Sequence, residues 1–215
     1  DATQGWINTM DSTSNVRGGS FVCASVSGSG NTLATSPDCA NTKIATFTGP
    51  GTFTVCSVAS TAANNEISYM IIAGGAGGGT NDGGAGGAGG FREVKSPITP
   101  YTASPLDGYG TPANRITVTA QGYSIVVGGG GAQGGPPSST PGTVGGNSTF
   151  GGITSTGGGF GSSEAGTRNG GNGGSGGGGG TGGGTEGSGG SGNTPPVTPA
   201  QGSNGGNGVV EGATS

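Results

Sequence analysis

Few side chains in this sequence are equipped for chemistry. Its 215 residues contain no His, three cysteines, six Lys and Arg together, and ten acids. Without His, a serine or cysteine nucleophile lacks its usual base. The lysines are Lys43 and Lys95. Lys95 precedes Ser96 but belongs to no serine–lysine motif. They follow Thr42 and Val94, not the glycine that a phosphate-binding loop places before its lysine. GxGxxG patterns recur, but 58 glycines generate them by composition, and the strand–turn–helix setting of a dinucleotide site is missing. Ten acids could pair for glycoside hydrolysis, yet none sits in an apolar setting, and they read as solvated loop charges. Cys23, Cys39 and Cys56 are widely spaced, with no CxxC pair and no His, which argues against zinc. One disulfide plus a thiol, or three buried thiols, both fit that spacing. The chain is expected to be no enzyme and to hold no metal or cofactor.

Recognition chemistry concentrates in one stretch, from Phe91 to Arg115. It carries Arg92, Lys95, Tyr101, Tyr109 and four prolines. Aromatic faces stack on sugar rings, charged groups read hydroxyls, and proline stiffening lowers the entropy lost on binding. Phe91, Arg92, Tyr101, Tyr109 and Arg115 are therefore candidates for a contact loop toward a host glycan, a receptor or a neighbouring subunit. The competing reading is a rigid loop covering the end of the glycine tracts. The basic residues are otherwise scattered and the net charge is −4. Nucleic-acid binding, which needs clustered cations against phosphates, is not expected. No apolar run approaches the ~20 residues of a membrane span, so no membrane insertion is expected.

The elements that must hold these residues are strands and glycine tracts. Strand-type runs lie at 21–26, 44–48, 52–56, 66–73, 115–120 and 123–127. Gly49-Pro50-Gly51 and Gln121-Gly122 read as hairpin punctuation. The run ending in Ile71-Ile72-Ala73 is near-continuously apolar, as for a strand buried on both faces. No 3.6-residue period survives, so no helix beyond a turn is expected. Glycine then takes over, from 74 to 90 and from 128 to 192, each tract launched by a strand. Ordering glycine costs about 1–2 kcal/mol of backbone entropy per residue, and side chains cannot offset it. Backbone bonds between segments must do so. Strict G-X-Y repetition is absent, which excludes collagen. The remaining solution is packed polyproline-II-type glycine helices, or polyglycine II. The fold is read as a short-strand antiparallel β-sandwich carrying them. In that packing Gly176–Gly180 would be interior, and Phe150, Phe160, Thr181 and Glu186 would mark outer faces or turns.

The order of these pieces resembles a known pattern. It runs through Ile44-Ala45-Thr46-Phe47-Thr48-Gly49-Pro50-Gly51-Thr52-Phe53-Thr54-Val55 and Tyr69-Met70-Ile71-Ile72-Ala73-Gly74-Gly75. Gly86-Gly87-Ala88-Gly89-Gly90-Phe91-Arg92-Glu93, Tyr123-Ser124-Ile125-Val126-Val127-Gly128-Gly129 and Ser148-Thr149-Phe150-Gly151-Gly152-Ile153 follow. Over residues 42–215 this resembles the glycine-rich domain of phage tail-fibre and related virion proteins, especially of marine phages. More distantly it is similar to the glycine-rich region of anaplastic lymphoma kinase, where a β-sandwich carries polyglycine II helices. The resemblance implies a non-enzymatic virion or extracellular structural protein acting in host attachment. Other virion proteins, a homo-oligomer (a trimer) and a host surface glycan or receptor are the implied partners. Residues 1–41 fall outside it and read as a β segment for docking or oligomerisation. A capsid-decoration or fibre-anchoring protein and a cellular extracellular filament subunit are the alternative readings. The irregular spacing of Thr140, Thr143, Thr149, Thr154 and Thr156 argues against an ice-binding array. The chain opens on Asp1 without Met or a signal segment, and is read as a processed product or part of a longer protein.

Overall fold

The structure is a computed structural model and describes residues 21–37, 41–135 and 139–210. Cys39 lies outside the described residues, as does most of the expected N-terminal docking segment. In chain order the strands are β1 (Cys23–Ser27), β2 (Thr32–Thr35), β3 (Lys43–Thr46), β4 (Gly51–Ser57), β5 (Glu66–Ile67), β6 (Tyr69–Ile72) and β7 (Phe91–Val94). There follow β8 (Ile116–Thr117), β9 (Gly122–Ile125), β10 (Ser148–Phe150), β11 (Ile153–Ser155), β12 (Thr181–Gly182) and β13 (Thr185–Glu186). Among the described residues, helix is confined to 3₁₀ turns at Ala62–Asn65 and Pro112–Asn114. The chain is mainly β, as its composition requires.

All the strand ladders are antiparallel. The largest sheet is β1-β4-β9, and β2-β3, β5-β8, β6-β7, β10-β11 and β12-β13 form pairs. Both predicted hairpins are overturned. Across Gly49-Pro50-Gly51, β3 pairs with β2 while β4 pairs with β1 and β9. The cause is Asn31. Its carboxamide donates to the Ser27 and Pro50 carbonyls and accepts from the N–H groups of Thr48 and Gly49. The turn's polar groups are thus satisfied without a ladder between its arms. Across Gln121-Gly122, β8 pairs with β5 and β9 with β4, because the Gln121 carbonyl is taken by the N–H of Val55. The expected 66–73 strand is broken at Ser68, whose hydroxyl accepts from the Ser96 N–H and bonds the Thr99 hydroxyl. Nor is its end buried on both faces. Met70 and Ile72 are each 59% exposed, while Tyr69 and Ile71 face the core.

Val55, Tyr69, Ile71, Val94, Ile116 and Val118 form that core. Phe150 is half-buried against it and meets Phe53, Tyr69 and Tyr123 edge-on, with centroids 6.0, 6.4 and 6.0 Å away. Gly151 and Gly152 have φ of 54° and 85°. That left-handed conformation, open to glycine, turns β10 directly into β11.

Beyond the strands the glycine tracts fold into segments at 73–80, 83–90, 128–135, 140–147, 156–163, 168–174, 175–181, 187–193 and 202–208. Their backbone bonds repeat every third residue. The N–H groups of Gly74, Gly77 and Thr80 reach the carbonyls of Gly146, Thr143 and Thr140. Those of Gly84, Gly87 and Gly90 reach Ser162, Gly159 and Thr156. Where neighbours run parallel the spacing is the same, as from Gly158 and Gly161 to Gly74 and Gly77. Three is the residue period of a polyproline-II-type helix. The bonded neighbours order the segments in three rows. The first holds 128–135, 73–80 and 83–90; the second holds 140–147, 156–163, 175–181 and 202–208; the third holds 168–174 and 187–193. Segment 156–163 is bonded to neighbours in all three rows. Side chains complete the bonding at the margins. The carboxamide oxygens of Asn169 and Asn172 accept from Ser188 and Ser191, and those of Asn207 and Asn204 from Gly189 and Gly192.

Candidate functional site

β7 leads out of segment 83–90, and β6, running into segment 73–80, is its partner. This carries Arg92 into the seam between the strands and the glycine rows. Arg92 lies opposite Ile71 in the ladder and is only 8% exposed. Its Nη2 donates to Oδ1 of Asn114 at 2.7 Å, and Nη1 to the Thr154 carbonyl at 3.4 Å. Asn114 is fixed in turn, because its Nδ2 donates to the carbonyls of Gly108 and Thr198. Gln201, 2% exposed, closes the other side. It accepts from the Thr156 N–H and donates to the Pro195 carbonyl. Between them opens a cleft of about 460 Å³, walled also by Ile153 and Val197. Among the described residues no carboxylate pairs with Arg92. Neighbouring Glu93 is turned to Ser104, accepting from its N–H and its hydroxyl.

The other expected contact residues are distributed as follows. Phe91 is half-buried, and its N–H donates to the Gln201 carbonyl at 2.8 Å. Tyr109 and Arg115 come together, with the guanidinium 4.1 Å over the ring and Nε donating to the Tyr109 carbonyl. Such a stack fixes an exposed cation at little entropic cost. Tyr101 lies apart, beneath Lys95 at 6.0 Å. Burial first, then the charge of Glu93, pushes its phenol up to about 12. The five candidates therefore do not form one surface. Arg92 faces the cleft, Tyr109 and Arg115 form a stack, and Tyr101 caps Glu93. Asn114, Thr154 and Gln201 escape sequence reading because they are single polar residues outside any motif. The one signal was positional: Gln201 ends the proline-bearing break at 193–201 that interrupts the glycines.

A family model described as a glycine-rich domain matches residues 46–215. The chain belongs to that glycine-rich domain family. Neither a curated protein nor a solved structure is found to match it. The match begins within β3 and takes in the cleft and every glycine segment. Strands β1 and β2 precede it; β1 pairs with β4 inside it, and β2 with β3 at its first residue.

Two features of the chain give predictions. Cys23 and Cys56 are not buried thiols; both are free and exposed, on neighbouring strands β1 and β4. A hydrogen bond to Cys56, then the charge of Cys56, raises the Cys23 thiol above its ordinary value. A raised value means less thiolate at a given pH, so iodoacetamide should alkylate Cys23 more slowly at pH 8 than it alkylates a free cysteine peptide. Diamide should join the two, seen as a 23–56 crosslink by peptide mapping of the Cys39→Ser chain.

The second feature is Tyr69, whose hydroxyl donates to the Asn114 carbonyl at 2.7 Å. Burial pushes this phenol up to about 12, with Arg92 opposing. Between about pH 10 and 12 the unfolded chain loses this proton while the folded chain keeps it. Stability should therefore fall as pH rises through that window. Two units correspond to at most about 2.7 kcal/mol, reduced by solvent screening. Urea midpoints of wild type and Tyr69→Phe from pH 8 to 11.5 check this; the variant should lose less.

Proposed function

We propose that this glycine-rich domain is a non-enzymatic structural module of a phage virion appendage, a tail fibre or adhesin, displayed outside the cell in contact with other virion proteins. The observation carrying this reading is the three-residue bonding of the glycine segments. It makes a stiff body from backbone alone, with side chains gathered at one end and along the margins. Such a body suits a spacer that must survive outside a cell and present a small recognition surface. The segments are packed polyglycine II helices on this reading. The domain assembles as a homo-oligomer, a trimer, and meets a host surface glycan or receptor.

The test is location. Gold-labelled antibody raised against the purified chain should decorate the tail appendages of particles in electron micrographs. Soluble chain should also compete with particle adsorption to cells. Label spread over the capsid would replace the appendage by a decoration protein. Label on cellular filaments, with none on particles, would overturn the virion reading.

A further inference from the structure

We propose that the cleft at Arg92 is a binding site for a carboxylated sugar, with the guanidinium taking the carboxylate. The proposal goes beyond the appendage reading and stands on the cleft alone, whatever particle or cell carries the domain. A buried guanidinium is costly unless paired with an anion. Arg92 is more than nine-tenths buried, and among the described residues its hydrogen-bond partners are one amide oxygen and one distant carbonyl. A guanidinium has five N–H donors, so three are left without a partner among the described residues, on a side chain that lines the cleft. Their planar fork suits a carboxylate bidentately.

The rest of the wall fits a sugar ring better than a bare anion. The hydroxyls of Thr154 and Thr156 line the cleft without a protein partner among the described residues, as do the Nδ2 of Asn147 and one N–H of Gln201. They alternate with the apolar surfaces of Ile153, Pro195 and Val197. Hydroxyl-bearing edges and C–H faces of a pyranose ask for that mixture. Ligand clefts run to about 300–1,000 Å³, so about 460 Å³ holds one sugar residue and part of a neighbour. The donors are held rigidly, because Asn114 and Gln201 are each pinned by two bonds. Little ordering remains to be done when a ligand enters.

The probe is an oligogalacturonate, titrated calorimetrically into the full chain at low salt. Its methyl ester, tetraglutamate and inorganic sulfate serve as comparisons. The uronate should saturate one site, at least tenfold more tightly than the ester. Arg92→Gln should weaken the uronate at least tenfold and the ester little. Because Arg92 is buried, its replacement also threatens folding, so Ala113→Trp is the second test. Ala113 is exposed at the lip, and the indole should block the cleft with the melting temperature unchanged. Equal binding of ester and uronate would overturn the role of Arg92. Tetraglutamate binding as tightly as the uronate would make this a peptide site, and sulfate doing so a plain anion site; either overturns the sugar. Full affinity in a folded Ala113→Trp chain, or no saturable uronate binding, overturns the cleft itself.

Discussion

Gly158→Ala is expected to abolish folding, or to lower stability by more than about 4 kcal/mol, a size reserved for clashes and cavities in well-packed interiors. Gly158 lies in segment 156–163, which is bonded into all three rows. A Cβ there would land on the carbonyl of Gly87, 2.7 Å from its carbon and 2.9 Å from the oxygen of Ala88. Both are backbone atoms of another segment, so relief requires moving 83–90 and breaking its bonds to 156–163. Gly129→Ala is the matched control. Nothing lies within 4 Å of a Cβ at that position, and its φ is not left-handed. Alanine there narrows the unfolded ensemble and should be neutral or stabilising by about 0.4–1 kcal/mol. Urea unfolding of the two variants separates the cases. Equal midpoints would mean that the rows are not packed as described.

Phe150→Ala is the second large effect, at roughly 3–4 kcal/mol. Phe150 ends β10, and its ring touches Phe53 of β4, Tyr69 of β6 and Tyr123 of β9 edge-on. Edge-to-face pairs add about 0.5–1.5 kcal/mol beyond area burial. This ring therefore joins the hairpin between two glycine segments to the strand core. In a chain of this size each kcal/mol shifts the melting temperature by about 2–4 °C, so calorimetry should show a drop of roughly 10 °C. Phe150→Leu should recover more than half of it. If alanine costs under about 1 kcal/mol, the hairpin is not anchored through this ring.

The sequence displayed its strands better than their partners. β-branched and aromatic runs mark β1, β4, β6 and β9 because their side chains must face a core. Which strand they would pair with was hidden, since Gly49-Pro50-Gly51 looks the same whether it closes a ladder or joins two sheets. Only the position of Asn31 in space decides that. Likewise Met70 and Ile72 read as buried by composition, but β6 has a covered face on one side only. The glycine tracts were legible as bonded segments from the cost of ordering them. Their neighbours were not, because a residue without a side chain leaves no record of which way it points. The exceptions are the paired non-glycine positions three apart: Ala85 and Ala88, Asn169 and Asn172, Ser188 and Ser191, Asn204 and Asn207. Each is exposed at both members, so they trace the outward face of their segments. Of the cleft, the sequence marked Arg92 by its charge within a glycine-flanked strand. Asn114 and Gln201, which fix its setting, carried no local signature.

The bonding step of three residues gives the glycine segments something like a reading frame in space. One glycine inserted within 83–90 would put everything beyond it one residue out of the three-residue bonding step. Outward alanines would then face inward, and donors would face donors. Three inserted together would restore the phase and merely lengthen the row. Length changes in these tracts should therefore fall into two classes, with single steps disruptive and triplets tolerated, as frameshifts and codons do in a gene. A domain governed this way can grow or shorten by whole three-residue steps while the cleft beside the strands stays in register.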